Sequence, residues 1–139
     1  SVAELARAMA GFAAPGQGGR GQAQRRLVQA MVAHPELVAG EGRACTRLMQ
    51  AMGGRVAVKT GAEAVFVAIA PERGLGIALK IEDGATRGSE AAITALLVHY
   101  GLLDPGHPVV GKYLHRPLRN WRGVEVAERR LAPSFPGRG

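Results

Sequence analysis

A lysine stands in the middle of the apolar stretch RVAVKTGAEAVF, which covers residues 55–66. Lys59 is followed by Thr60, which offers a hydroxyl, and by Gly61, which allows a ligand to approach the backbone closely. Lys-Thr-Gly on a strand occurs in serine acyl-transfer enzymes, in which the lysine supplies charge and handles protons. The alternative is an edge-strand lysine that holds its ammonium in water, and three residues alone leave both interpretations open.

No serine in the sequence is an evident partner for Lys59. The serines are Ser1, Ser89 and Ser134, and none begins a Ser-x-x-Lys pattern, which places a lysine one helical turn from the hydroxyl that it deprotonates. Ser1 could instead act as an N-terminal nucleophile, but together with Glu4 it matches a capping box at a helix start. The candidate lysine therefore has no serine of its own in this sequence.

The single cysteine, Cys45, excludes an internal disulfide and suits a reducing cytoplasm. It is either a buried apolar residue or a thiol near Lys59, whose charge would favour the thiolate. The four histidines show no metal-ligand spacing, so we expect no self-contained metal site. Glu82 and Asp83 fit a turn better than they fit catalysis, and Asp83 is positioned to cap the helix that follows.

Three strand-like segments are predicted around Lys59, over residues 55–59, 64–70 and 75–81. The connection between the last two is short and has the composition of a hairpin turn, so the three strands should form an antiparallel meander. Lys59 would then lie at the end of the first strand of this meander.

Helices are predicted before the meander. Apolar residues at helical spacing predict helices over residues 2–12, 22–34 and 44–52. The glycine-rich residues 14–22 are predicted to be a flexible linker, because no apolar strand precedes them as one would in a phosphate-binding loop.

The longest predicted helix spans residues 83–101, and its apolar face is built around Ala92, Leu96 and Tyr100. Helices, three antiparallel strands and a packing helix together predict an α+β domain over residues 1–106. Residues 107–139 are predicted to form a basic, largely irregular tail with one possible short strand around Val124. The first 25 residues and this tail are expected to need a partner surface.

The basic residues are concentrated in the tail. The net charge is +7, with eleven Lys and Arg against nine Asp and Glu in residues 1–106 and seven against two in residues 107–139. The aromatic residues of the tail are widely separated, which favours a solvated Arg-rich segment over a nucleic-acid interface. No apolar run approaches the roughly 20 residues that span a bilayer, and no signal pattern is present, so we expect a cytoplasmic protein without membrane contact.

Three motifs occur in order along the chain: HPELVAGEGR at residues 34–43, KTGAEA at 59–64 and KIEDG at 80–84. Together with RNWRGVEV near the C-terminus, they make residues 1–131 resemble the L-asparaginase II family. The resemblance implies a serine β-lactamase-like fold and hydrolysis of the small-molecule substrate L-asparagine to L-aspartate and ammonia.

The resemblance also assigns residues to a site. Lys59 matches the family's lysine that pairs with a catalytic serine, and Cys45 matches a cysteine near that lysine. The implied substrate-binding residues are Thr60, Gly61, Ala62 and Glu63. By analogy with the β-lactamase-like strand, the backbone amide of Ala62 would lie near an oxyanion hole. Ala64 departs mildly from the family, which often has glycine at this position.

The family's Ser-Lys tandem, its second serine and its zinc-binding Cys/Lys cluster have no match in this sequence. The resemblance therefore implies the C-terminal part of an asparaginase, with no metal held by this chain and any zinc held by residues outside it. We expect the isolated chain to be inactive and to form a homo-oligomer or pair with an N-terminal half. The alternatives are a non-catalytic binding or assembly domain and, less favoured, a basic nucleic-acid-binding protein.

Overall fold

The computed structural model describes residues 1–115, 117–133 and 135. The first helix, α1, spans Val2–Ala13 and begins with the predicted capping box. The hydroxyl of Ser1 accepts a hydrogen bond from the Glu4 amide at 3.3 Å, and the Glu4 carboxylate accepts from the Ser1 ammonium at 2.7 Å. Ser1 is thus engaged as a helix cap, which is the structural role that its spacing to Glu4 predicts.

The second helix, α2, spans Gly18–Ala33 and corrects the predicted linker over residues 14–22, because only the first part of that segment is a loop. The loop folds back tightly on the helix. A Cβ at Gly21 would lie 1.7 Å from the carbonyl oxygen of Gly16, and the Arg25 guanidinium donates to the Pro15 carbonyl at 3.3 Å. Gly21 therefore allows the loop to pack closely on the helix, and it does not make the segment a flexible linker.

Two short helices follow: α3 spans Pro35–Ala39 and α4 spans Ala44–Ala51. Pro35 ends α2, as predicted, and also starts α3, where its missing amide costs no hydrogen bond. Thr46 ties the two helices together from a buried position. Its hydroxyl lies 2.6 Å from the Gly40 carbonyl oxygen and 3.1 Å from that of Pro35.

The predicted meander is confirmed. Strands β1 (Ala57–Thr60), β2 (Val65–Ala70) and β3 (Leu75–Lys80) form one antiparallel sheet in the order β1-β2-β3. Lys59 pairs with Val67 on the central strand, and Val67 pairs with Ala78. The mixture of helices with an antiparallel sheet confirms the α+β class.

The two faces of this sheet are covered differently. One face carries buried residues of all three strands, among them Val58, Phe66 and Ile77, and packs against the core that α4 and α5 complete. On the other face α1 lies directly on β3: a Cβ at Gly76 would be 2.1 Å from the Ala10 nitrogen. The first helix was expected to need a partner surface, and β3 of the same chain provides it.

Helix α5 spans Thr86–His99, and two details differ from expectation. Its buried side is centred on Ile93 and Leu97, whereas Tyr100 is 42% exposed, so the predicted apolar face is rotated. Asp83 does not cap the helix, whose first flanking residue is Ala85. The Asp83 carboxylate instead accepts a hydrogen bond from the Ala85 amide at 2.8 Å and pairs with the Arg87 guanidinium at 2.9 Å. These two contacts hold the turn before the helix.

The described part of residues 107–139 is more regular than predicted. Helix α6 spans Pro108–Leu114, and strands β4 (Pro117–Arg119) and β5 (Glu125–Glu128) form an antiparallel hairpin. The N-terminus of the short helix α6 is stabilised in two ways. Pro108 occupies its first turn, and His107 Nδ1 accepts a hydrogen bond from the Val109 amide at 3.1 Å. Its buried residues, which join the main core, are Val109, Val110, Tyr113 and Leu114.

Candidate active site

Lys59 lies near the end of β1 and is exposed. Side chains alternate along a strand, so Lys59 projects on the same face as Ala57, Ile69 and Gly76, which share one row of the sheet. Helix α1 covers β3 on this face, but Val65 and Val67 of the central strand remain partly exposed. We call Lys59 with Val65 and Val67 the open corner of the sheet.

The ammonium of Lys59 donates to the carbonyl oxygen of Thr60 at 2.6 Å. Lys80, on the opposite edge strand β3, is also exposed and donates to the carbonyl of Ile81 at the same distance of 2.6 Å. The local hydrogen bond therefore does not distinguish Lys59 from an ordinary strand-end lysine. Lys59 pairs with Val67 and Lys80 with Val65 across the same face, so both lysines flank the partly exposed valines. What distinguishes Lys59 is that it directly precedes the Gly61 turn.

Cys45 is placed against β1 from α4. Its sulfur accepts a hydrogen bond from the Thr60 amide at 3.2 Å, and its side chain is 1% exposed. Burial raises the pKa of the Cys45 thiol, and the Thr60 amide and the Lys59 charge oppose that shift only partly. The thiol is thus the favoured form at neutral pH, and Cys45 anchors the strand next to Lys59.

A strained turn joins β1 to β2. The Gly61 amide donates to the Val65 carbonyl at 2.8 Å and closes this turn, and the residues inside it are Ala62, Glu63 and Ala64. Glu63 and Ala64 both have φ of 55°, in the left-handed region that disfavours residues with a Cβ. Each costs on the order of 1 kcal/mol or more, a cost often found at functional turns.

The motifs KTGAEA and KIEDG come together at this turn. The Ile81 amide donates to the Ala64 carbonyl at 3.3 Å, and a Cβ at Gly84 would lie 3.7 Å from the Glu63 carboxylate. The residues predicted for the site, from Lys59 to Glu63, are therefore contiguous at one end of the sheet. Cys45 contacts the same strand but is enclosed in the core.

Neither described serine is available to Lys59. Ser89 is fully buried and donates to the Thr86 carbonyl at 3.1 Å, and Ser1 is bound to Glu4 at the start of α1. Ser134 lies outside the described residues. One residue that the sequence reasoning did not associate with this region is Tyr113, whose burial raises the pKa of its phenol.

Within residues 1–115, 117–133 and 135, no group of three or more His, Cys, Asp or Glu side chains is placed to hold a metal ion. Cys45 offers one sulfur ligand and has no such neighbours, so the described residues do not fit a zinc site. Zinc held by residues outside this sequence stays a prediction. No helix in the same described ranges is long and apolar enough to cross a membrane.

The structure thus places Lys59, Thr60 and Gly61 together at the open corner of an antiparallel sheet in an α+β fold. The family model for L-asparaginase II matches residues 1–131, and the chain therefore belongs to the L-asparaginase II family. Among curated proteins, none matches the chain. Family membership supports an asparaginase-type amidohydrolase function and a small-molecule substrate.

Proposed function

We propose that this chain supplies the lysine-bearing part of an L-asparaginase that hydrolyses L-asparagine to L-aspartate and ammonia by Ser-Lys chemistry. The observation that carries the proposal is the placement of Lys59 at the open corner of the sheet, beside the strained turn that contains Ala62 and Glu63. The match of residues 1–131 to the L-asparaginase II family supports the substrate.

In this proposal, Lys59 acts as the base toward a serine that lies outside this sequence. Lys59, as the neutral amine, takes the serine proton while the hydroxyl oxygen attacks the side-chain amide carbon of asparagine. The carbon–nitrogen bond then breaks, ammonia takes up the proton and leaves, and an ester to the serine remains. Water hydrolyses that ester to aspartate and regenerates the serine.

The turn after Lys59 would bind the substrate. Gly61 lets the chain turn closely past Val65, which a Cβ at Gly61 would contact at 3.4 Å, and the Ala62 amide that follows is our candidate donor to the oxygen of the tetrahedral intermediate. Thr60 and Glu63 complete the proposed contacts. This arrangement extends the resemblance to a serine β-lactamase-like fold, in which an edge strand faces the substrate.

The proposed division of the site also explains why we expect no turnover from this chain alone. Both described serines are engaged in local hydrogen bonds, and the Lys59 ammonium is exposed with only a neighbouring carbonyl as acceptor. A second copy or a separate N-terminal region, in the cytoplasm, would have to bring the nucleophile and exclude water. Covering the partly exposed Val65 and Val67 would favour such an association.

The test is ammonia release from L-asparagine by the purified chain, alone and after mixing with an N-terminal region of an L-asparaginase II protein that contains Ser-x-x-Lys. We expect no ammonia from the chain alone and measurable release from the mixture. Lys59→Met should abolish release, whereas Lys80→Met, which removes the same charge from the other edge strand, should preserve it. Release by the chain alone that Lys59→Ala abolishes would contradict the division of the site.

A non-catalytic assembly domain is the second candidate. The hairpin of β4 and β5 favours it, because Trp121 is 93% exposed and Val124 and Val126 are 56% and 61% exposed. Under this alternative, the mixture would form a stable complex by size-exclusion chromatography but would release no ammonia with or without Lys59.

A further inference from the structure

We propose that the cleft between α5, α6 and the β4–β5 hairpin binds a phosphorylated small molecule. This cleft is separate from the open corner, since none of residues 59–64 lines it, and its volume is about 540 Å³. Cavities of this size accommodate small ligands. Four cationic side chains from different parts of the chain converge on it, namely Arg87, Lys112, Arg119 and Arg129.

The lining carries more cations than carboxylates, and two of the cations, Lys112 and Arg129, form no ion pair in the described part of the chain. Glu90 is the one carboxylate that lines the cleft among the described residues, against four cations. Asp83 and Glu125 pair with Arg87 and Arg119 from outside the lining. Converging cations repel one another, and a bound anion relieves that repulsion while the low-dielectric walls strengthen its attraction.

Two of the cations have unused hydrogen-bonding capacity. Lys112 forms no ion pair within the described residues, and its nitrogen lies 5.7 Å from the centre of the Tyr113 ring. Arg129 donates from Nη1 to the Arg87 carbonyl at 2.8 Å, but its Nε is buried without an acceptor among the same residues. An unsatisfied buried donor is costly, and an anion in the cleft that turns the Arg129 guanidinium toward itself would relieve that cost.

The chemistry of the walls indicates what kind of anion fits. Guanidinium groups present paired donors that match phosphate oxygens, and an ammonium adds a point charge. Tyr113, Pro117 and Leu118 form an apolar wall, which suits the organic part of a phosphorylated metabolite. Burial, and after it the Glu90 carboxylate, raises the pKa of Tyr113, so the phenol stays neutral beside the cations.

The experiment is isothermal titration of the purified chain with pyrophosphate at low ionic strength. We expect binding at a 1:1 ratio that Lys112→Met weakens at least about tenfold, because a hydrogen bond to a charged group is lost. Arg129→Met should have a similar effect. Lys80→Met is the matched control, since it removes the same charge from an exposed site on β3, and its affinity should equal that of the unmodified chain.

Three outcomes would overturn the proposal. The first is equal weakening by Lys112→Met and Lys80→Met in variants whose circular dichroism matches the parent, which would indicate a general response to net charge. The second is citrate binding as tightly as pyrophosphate, which would assign the cleft to polycarboxylates. The third is displacement of pyrophosphate by a single-stranded oligonucleotide with a steep salt dependence, which would indicate a nucleic-acid surface. The titration requires no asparaginase activity, so its failure is distinguishable from failure of the proposed reaction.

Discussion

The contact between α1 and β3 is tightest at Gly76, and Gly76→Ala should break it. The added Cβ would lie 2.1 Å from the Ala10 nitrogen, 2.4 Å from the Ala6 oxygen and 2.6 Å from the Met9 carbonyl carbon. These are backbone atoms of a hydrogen-bonded helix, so no side-chain rotation can make room. Real Cβ atoms almost never approach within 3.0 Å of such atoms, so α1 must move away from the sheet by about 1 Å.

The size of the effect follows from that displacement. A gap of 0.5–1 Å already loses roughly a quarter to a half of the dispersion energy of each atom pair across the contact. Met9 and Phe12 pack against the core from α1, so their contacts are weakened together. Overpacking usually costs about 1–3 kcal/mol, and the backbone character of this clash places Gly76→Ala near 3 kcal/mol.

Urea unfolding followed by far-ultraviolet circular dichroism measures this change. Gly11→Ala is the matched control, because it adds the same methyl group to α1 where nothing lies within 4 Å of the new Cβ. We expect the control to stabilise the protein by about 0.5–1 kcal/mol, since alanine is the better helix former. A free energy of unfolding for Gly76→Ala within about 0.5 kcal/mol of the parent would refute the packing of α1 on β3.

Two further predictions concern the region around the candidate site. Glu63→Gly should stabilise the chain by about 1 kcal/mol, because Glu63 is exposed and has φ of 55°, a conformation that glycine adopts without strain; an unchanged or lower urea midpoint would contradict this strain. Because burial raises the folded-state pKa of Cys45, the stability from its neutral thiol is complete below the unfolded-state pKa of about 8.5 and declines as the pH rises above it. Cys45→Ala should therefore lose less stability than the parent between pH 7 and pH 9.5, measured by urea midpoints, and an equal loss would refute the assigned burial effect.

The meander was predictable because its signal is local. Apolar residues in the stretches around Val58, Phe66 and Ile77 are bounded by turn residues, and their period alone indicates strands. The antiparallel order followed from the short connections. The start of α1 was also readable, because a capping box depends only on residues three positions apart.

The errors arose where packing overrides local preference. Glycine at position 21 suggested flexibility, but it is there because a loop carbonyl occupies the space of a Cβ. The buried side of α5 is rotated from the predicted face, because Leu97 is fully buried whereas Tyr100 is 42% exposed. Helix α6 is too short for its periodicity to be recognised, and its burial depends on contact with α5 and α4.

The sequence by itself determined which reactive side chains the chain carries and that Lys59 lies on a strand, since both depend only on residues that are neighbours in the sequence. Only the tertiary structure decided that Cys45 bonds the Thr60 amide from the core, that KTGAEA meets KIEDG through Ala64, and that cations 42 positions apart share one cleft. The physical reason is that strand register and helix docking are chosen by the burial of whole faces. Neither can be inferred from the spacing of a single motif.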